Sequence, residues 1–251
     1  MNPALLVDAV PGTPAPTGLY SAATVLDLAD PTRIDGGVRV IQLNCGRAAQ
    51  WQPGCGPQDD PTATKDSGPR AVDAEFPTTI VYATDDCGLV ASSEDEAVTR
   101  ARQIMRLQEG IQVERHAAGQ LLELAGTPAT APAGPVGLKL AVGAIEQALG
   151  ETGMYGVIHA PRRFAALLSD FIVPAANGVL RTKLGNYWAF GTGYEELGEN
   201  IVGTGPVTVR RGPISTYSTV EHRQNERTAV AEREVNTSWE CVVVAQALPT
   251  S

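Results

Sequence analysis

The sequence has few of the residues that carry most enzyme chemistry. Histidine occurs only at positions 116, 159 and 222, and none of the three lies at metal-ligand spacing from a cysteine or carboxylate. The Gly-x-Ser-x-Gly nucleophile elbow and the His-Glu-x-x-His motif are both absent. We therefore predict no catalytic residue, no metal and no cofactor, and we interpret His159 as a hydrogen-bonded strand residue.

Lysine is scarce. Lys65, Lys139 and Lys183 are the only lysines, and the formal net charge of the chain is -9. Binding nucleic acid over a broad surface requires clustered Lys and Arg against the phosphates. The composition excludes such a surface, although an acidic protein can still enclose nucleic acid without holding it tightly. The basic pairs Arg162-Arg163 and Arg210-Arg211 favour salt bridges or subunit contacts.

Long apolar runs and closely spaced cysteines are also missing. No run of about 18 apolar residues occurs, so no transmembrane helix is predicted. The first ten residues have neither the basic nor the apolar part of a signal peptide. We therefore expect reduced, structural thiols, and Cys87 and Cys241 are flanked like core-strand residues. Cys45 and Cys55 share a Gly/Pro-rich segment, and the sequence leaves their pairing open.

Proline and glycine divide the first third of the chain. Five prolines in residues 1–36 predict an extended arm, with a short helix at 22–28. Residues 37–43 alternate apolar and polar side chains, which predicts a strand, and residues 78–83 predict another. The Gly/Pro/Asp/Thr-rich stretch at 46–77 between them is a loop of a length uncommon inside a compact domain.

The middle of the chain predicts a long helix. Ser93 followed by Glu96 forms a capping box, and the helical spacing runs to Ala125 before a Gly-Thr-Pro stop. About thirty residues at ~1.5 Å each give a rod of roughly 45–50 Å. A Pro/Ala/Thr linker at 127–135 and a second helix at 136–149 follow. The apolar residues that define the first helix are Ala97, Ala101, Ile104, Ile111, Ala118, Leu121 and Leu122.

The last third contains short strand-like runs and glycine pairs. Residues 156–161 are an apolar run ended by proline, and a short helix-like piece at 162–170 follows. The segments Gly191-Thr-Gly193 and Gly203-Thr-Gly205 look superficially like phosphate loops. Neither has the third glycine or the Gly-Lys-Ser/Thr that opens a helix at a phosphate site, so we interpret both as turns.

Three segments of the last third, in this order after the long helix, are similar to segments of capsid proteins from phages of actinobacteria. They are Gly156-Val-Ile-His-Ala-Pro-Arg162, Leu184-Gly-Asn-Tyr-Trp-Ala-Phe-Gly-Thr-Gly-Tyr194 and Thr204-Gly-Pro-Val-Thr-Val-Arg-Arg211. Over residues 37–248 the chain therefore resembles the Hong Kong 97-type (HK97-like) major capsid proteins of tailed phages. The resemblance implies an α+β fold with an N-terminal arm (1–36), an extended loop with flanking strands (37–83), a peripheral domain with a long spine helix (84–126), an axial domain (127–215) and the final peripheral strands (216–251).

The same resemblance implies a function. A capsid protein of this family is a structural protein of the virion, not an enzyme, and assembles with itself as pentamers and hexamers into an icosahedral head around double-stranded DNA. Assembly takes place in the host cytoplasm, without a membrane, and the candidate partners are portal, scaffold and decoration proteins. An arm and a loop that one chain cannot bury fit this role, because neighbouring subunits would bury them.

The resemblance also implies a candidate covalent bond. Some members of the fold join neighbouring subunits by an isopeptide bond between a loop lysine and a peripheral-domain asparagine, with a glutamate as proton acceptor. Here the matching residues are Lys65, the only lysine of the loop, Asn225 and Glu232. The reaction needs a neutral lysine beside a carboxylate base. The alternative interpretation is an exposed lysine, a turn asparagine and a strand glutamate.

Three other functions remain open at this point. An encapsulin-like nanocompartment would enclose protein cargo, and a cargo-tail groove under the arm would favour it. A tail or connector protein would consist mostly of strands and lack a helix of thirty residues. A small α/β enzyme would bring titratable groups together in a cleft, and no such cluster can be assembled from the sequence.

Overall fold

The computed structural model describes residues 9–30, 34–51, 65, 68–90, 93–241 and 243–248. Its α-helices are α1 (Leu19–Ala22), α2 (Glu94–Ala125) and α3 (Pro135–Gly150). Its strands are β1 (Thr24–Asp27), β2 (Val38–Val40), β3 (Ala74–Phe76), β4 (Thr78–Gly88), β5 (Ala129–Thr130), β6 (Val157–Pro161), β7 (Val173–Pro174), β8 (Leu180–Arg181), β9 (Tyr187–Gly191), β10 (Asn200–Thr204), β11 (Val207–Arg211), β12 (Ser215–Glu221), β13 (Glu226–Trp239) and β14 (Val243–Ala247).

The long helix α2 begins and ends where the sequence predicts. Ser93 Oγ accepts a hydrogen bond from the backbone N–H of Glu96 (3.2 Å), and the Glu96 carboxylate accepts one from the N–H of Ser93 (2.8 Å). This reciprocal capping box satisfies two of the N–H groups that a helix start leaves unpaired. The 32 residues of α2 give a rod of about 48 Å. Within the described parts of the chain, no helix has both the length and the apolar character to cross a membrane.

The buried stripe of α2 repeats every fourth residue. Positions four apart advance by about 40° around a helix, so this stripe winds around the rod. Its first two members pack against Ala229 and Ala231 of β13, and its last three lie in the cluster that contains Tyr194. Ile104, predicted on the apolar face, is 40% exposed. The stripe consists of Ala97, Ala101, Met105, Glu109, Val113, Ala117 and Leu121.

A five-stranded sheet, which we call the peripheral sheet, is organised around β13. One edge of β13 pairs with β4, and the other edge pairs first with β12 and then with β11, all antiparallel. β1 extends the sheet as a parallel neighbour of β11. Helix α2 packs across one face of this sheet, where the small side chains of Ala83, Ala229 and Ala231 allow a close approach.

A seven-stranded sheet, which we call the axial sheet, has the order β5-β14-β10-β6-β9-β8-β7. Helix α3 packs on it through Ala141, Ile145 and Leu149. Gly203 lies within β10, not in the turn that the sequence predicts, and a Cβ atom there would lie 2.6 Å from Cγ2 of Ile145. Gly191 likewise ends β9. These glycines permit close packing. The interpretation as a turn is wrong for Gly203 and Thr204, which lie in β10, whereas Gly191-Thr-Gly193 connects the end of β9 to a short 3-10 helix.

Two strands belong to a different sheet from the one that the predicted domain boundaries assign to them. β11, inside the range assigned to the axial domain (127–215), pairs with β13 in the peripheral sheet. β14, inside the range assigned to the final peripheral strands (216–251), pairs with β10 in the axial sheet. After its first passage from β4 through α2 to β5, the chain therefore crosses between the sheets twice more, between β10 and β11 and between β13 and β14. The boundaries 1–36, 37–83 and 84–126 stay a prediction.

The short helix predicted at 22–28 is a strand. α1 ends at Ala22, and residues 24–27 form β1, whose Thr24 pairs with Thr208 of β11. The hydrogen bonds offered by β11 determine this conformation, and local propensity has little weight against them. Residues 1–8 and 31–33 of the predicted arm lie outside the described residues.

Candidate subunit-contact surfaces

One face of the peripheral sheet is turned away from α2, and we call it the open face. It consists of Ile80 and Tyr82 of β4, Tyr217 of β12 and Glu232 of β13, with Glu234 of β13 half-buried beside Asp35 at its border. Ile80 is 58% exposed, Tyr82 66% and Tyr217 47%. Glu232 pairs with Tyr82 in the β4–β13 register, and its hydrogen bond with Tyr217 raises the pKa of that phenol. The open face therefore combines apolar area with carboxylates.

The extended loop exposes apolar and charged side chains. Leu43 is 80% exposed and Val72 is 87% exposed. Burying such apolar side chains lowers the free energy, so their exposure in one chain leaves that stabilisation available to a contact. Arg47, Lys65 and Arg70 lie exposed in the same segment. Most of the predicted loop, residues 52–64 together with 66 and 67, lies outside the described residues. The described part exposes apolar side chains together with these three basic residues and with the acidic residues Asp73 and Glu75, of which Glu75 pairs with Arg39.

A disulfide at the base of this loop corrects the cysteine prediction. Cys45 is bonded to Cys241, with 5.0 Å between the Cα atoms and 196 residues between them in sequence. The prediction of reduced thiols is wrong for these two residues, and Cys241 follows β13 instead of lying within a strand. Cys87 is free and half-buried in β4. The pairing of Cys45 with Cys55 does not occur, and Cys55 lies outside the described residues.

The arm is held on the spine helix by a buried ion network at Glu109. The hydroxyl of Tyr20 donates to Glu109 Oε1 (2.6 Å), and two arginines from neighbouring strands form ion pairs with the same carboxylate, Arg211 at 3.4 Å and Arg233 at 3.3 Å. Asp27 of β1 pairs with Arg211 at 2.8 Å. Burial, then the charge of Glu109, raises the pKa of Tyr20 well above its usual value, so the phenol stays a donor. The network joins the arm, α2 and β13.

A second buried carboxylate lies one and a half turns further along α2. Glu114 accepts backbone hydrogen bonds from Leu19 at the start of α1 (3.0 Å) and from Gly193 after β9 (2.9 Å). Burial raises the pKa of Glu114, while these two hydrogen bonds and the charge of Arg162 lower it. A Cβ atom at Gly191 would lie 2.3 Å from the carboxylate. The glycines of this segment therefore let Glu114 bind the backbone directly.

His159 is a hydrogen-bonded core residue of β6, and its prediction is confirmed. Its Nδ1 lies 2.7 Å from the hydroxyl of Tyr194 and its Nε2 lies 3.0 Å from Oγ1 of Thr204. Burial lowers the pKa of His159 to about 3. The imidazole is neutral near pH 7 and bridges β6, β10 and the segment after β9.

The three residues of the candidate isopeptide bond occupy exposed or strand positions. Asn225 lies in the turn between β12 and β13 with φ 52°, a left-handed conformation that asparagine tolerates. Glu232 lies seven residues further along nearly continuous strand, which places it about 23 Å away at ~3.3 Å per residue. Lys65 Nζ lies 5.6 Å from the ring centroid of Trp51. One chain therefore does not supply both Asn225 and Glu232 to one bond.

A groove lies between the arm and the spine helix. Its volume is about 1420 Å³, and its walls include Val10 and Pro14 of the arm and Leu107 and Ile111 of α2. Nε2 of Gln103 donates to the backbone carbonyl of Gly12 (2.9 Å) across it.

The sequence matches no protein-family model and no curated protein. The structure is similar to the capsid of an empty GTA particle (13% identity, covering 100% of this chain and 96% of that one, TM-score 0.59). It is also similar to Microbacterium phage Oxtober96 (11% identity, 100% and 95% covered, TM-score 0.57) and to a virus-like particle from Pyrococcus furiosus (9% identity, 91% and 91% covered, TM-score 0.55). The chain has the α+β fold of Hong Kong 97-type capsid proteins, which confirms the fold implied by the sequence resemblance.

Proposed function

We propose that this chain is the major capsid protein of a tailed phage, a structural subunit of the virion that assembles as pentamers and hexamers into an icosahedral head. The open face is the observation that supports the proposal. Ile80, Tyr82 and Tyr217 expose large apolar side chains on the same face of the sheet. Exposed apolar area of this kind marks a contact site.

The partner that fits the open face is a second copy of the chain. Its extended loop exposes apolar residues such as Leu43 and Val72, and basic residues such as Arg47 and Arg70. The open face offers apolar residues with carboxylates, so its apolar area matches that of the loop and its carboxylates are suited to contact Arg47 and Arg70. A contact between two different surfaces of identical chains is heterologous, and such contacts produce closed rings when the rotation closes.

The interior of such a shell would hold double-stranded DNA without binding its sequence. A net charge of -9 gives little of the clustered positive charge that phosphate binding requires. The candidate partners are a portal protein and scaffold or decoration proteins, and assembly would take place in the host cytoplasm. An enzymatic role has no support from the described side chains, because their buried acids bind backbone and arginines in the packed core.

A single substitution on the open face tests the assembly proposal. We expect Tyr82→Arg to prevent formation of closed shells, because it replaces exposed aromatic area at the contact by a charged side chain. Negative-stain electron microscopy and size-exclusion chromatography would show shells or rings for the unmodified chain and small oligomers for the variant. Tyr82→Phe keeps the ring and is expected to assemble. Both variants should unfold within about 0.5 kcal/mol of the unmodified subunit, since Tyr82 is an exposed surface residue.

The groove under the arm favours one alternative, a protein nanocompartment of the same fold. The cavity of about 1420 Å³ exceeds the roughly 300–1,000 Å³ of small-molecule sites and fits a polypeptide segment. Particles purified from the cells that produce them would distinguish the two functions by their contents. Nuclease-protected double-stranded DNA supports the phage head, whereas protein cargo without DNA supports the nanocompartment.

The isopeptide hypothesis has its own test in assembled shells. Joining Lys65 to Asn225 forms an amide and releases ammonia, with Glu232 of a neighbouring chain accepting the lysine proton. The hypothesis predicts a ladder of subunit multiples after boiling in detergent and reductant, and loss of that ladder in Lys65→Arg. A single monomer band from unmodified shells ends the hypothesis.

A further inference from the structure

The base of the extended loop is fastened to the end of β13 by a covalent bond and by polar contacts. The backbone N–H of Cys241 donates to Oε1 of the buried Gln42 (2.8 Å), and the N–H of Leu43 donates to the Glu240 carboxylate (3.1 Å). The disulfide between Cys45 and Cys241 closes the same site. These polar contacts do not involve the sulfur atoms, so we expect them to keep the two cysteines near each other in the reduced chain as well.

Cys241 lies where the chain passes from one sheet to the other. β13 of the peripheral sheet ends at Trp239, and β14 of the axial sheet begins at Val243. Cys241 has φ 68°, a left-handed conformation that residues other than glycine seldom adopt and that persists where the surroundings determine it. The disulfide therefore couples the loop base to the junction of both sheets.

We propose that Cys45 and Cys241 form a redox-controlled lock on the extended loop. In a reducing cytoplasm both residues are thiols, and hydrogen bonds alone hold the loop base. On exposure to a small-molecule disulfide, the thiolate of one cysteine attacks it, forms a mixed disulfide and releases one small thiol. The second cysteine loses its proton and attacks the mixed disulfide, releasing the second small thiol. The protein thiols are oxidised, and the small disulfide is reduced.

The function of the lock depends on when the disulfide forms relative to shell assembly, and this inference rests on the proposed function. Thiols stay reduced in the cytosol and form disulfides in oxidising surroundings. The loop base is therefore free to adjust while subunits assemble and becomes fixed once the particle leaves the cell. Cys87 of β4 takes no part, because the lock uses the pair that Gln42 and Glu240 bring together.

The lock is tested on the purified full chain in glutathione buffers, from reducing to oxidising, followed by alkylation and non-reducing peptide mapping. Trypsin then probes the loop base at Arg47, two residues beyond Cys45. Oxidation is expected to slow cleavage at Arg47 roughly fivefold, because proteolysis follows the population of the locally open state. Cleavage at Arg223, in the distant turn between β12 and β13, is the internal reference and should change little.

Three variants complete the experiment. Cys45→Ser and Cys241→Ser should be cleaved at the fast rate in both buffers, whereas Cys87→Ser should behave like the unmodified chain. Mapping the bond to Cys45 and Cys55, or finding equal cleavage at Arg47 in both redox states, overturns the lock. Because the measurement uses unassembled subunits, a failure to form shells counts against the proposed function alone.

Discussion

Replacing Gly193 by alanine is expected to destabilise the subunit by about 3–5 kcal/mol. A Cβ atom there would lie 2.1 Å from the backbone carbonyl oxygen of Ile111 and 2.6 Å from Cβ of Glu114, both on α2. Displacing the backbone of a long helix costs much free energy, so the segment after β9 must move away from α2. This displacement also breaks the 2.9 Å hydrogen bond from Gly193 N–H to the Glu114 carboxylate. Urea unfolding of the isolated subunit measures the loss.

Gly119→Ala is the matched control for that substitution. Gly119 lies inside α2, and a Cβ atom there meets nothing within 4 Å. Alanine is the better helix former by about 1 kcal/mol, so this variant should be more stable than the unmodified chain. The same chemical change thus has opposite signs at the two positions. Equal unfolding midpoints for the two variants would contradict the close packing described at Gly193.

The elements that the sequence predicts correctly depend on local signals. Helix α2 has its capping box, its acidic first turn and its Gly-Thr-Pro stop within the chain segment itself, so its existence and bounds need no distant partner. β1 is the opposite case, since a stretch predicted as a short helix becomes a strand because β11 pairs with it. The crossings of β11 and β14 between the two sheets depend on pairing in the same way.

The residues of the candidate surfaces also differ in whether local sequence signals could have revealed them. Residues 80–83 are all apolar, so alternation alone does not say which side α2 covers, and the exposure of Ile80 and Tyr82 required the fold. The acid at Glu109 could have been found, because it interrupts a run of apolar residues at every fourth position. Its partners Arg211 and Arg233 could not, since they come from distant strands.

Replacing Glu109 by methionine is expected to destabilise the subunit by about 3–5 kcal/mol, the usual cost of removing one partner of a buried ion pair. The Glu109 side chain is 6% exposed and that of Arg233 is 11% exposed, so water does not replace the lost carboxylate. The hydroxyl of Tyr20 loses its 2.6 Å acceptor in the same step. Urea unfolding of the subunit again measures the change.

A double variant distinguishes the electrostatic contribution of the Glu109 side chain from its contribution to packing. Glu109→Met with Arg233→Met also removes the buried cation that the single change leaves with only Asp27, at 3.7 Å, while Arg211 keeps Asp27 at 2.8 Å. We expect the double variant to recover about 2 kcal/mol relative to the sum of the single changes, because apolar residues of similar volume replace buried ion pairs at little cost. Strictly additive costs would mean that Glu109 stabilises the fold through packing alone. A recovery of about 2 kcal/mol would show that Glu109 stabilises the subunit by neutralising buried arginines. These arginines, Arg211 and Arg233, in turn hold the arm and β13 on the spine helix.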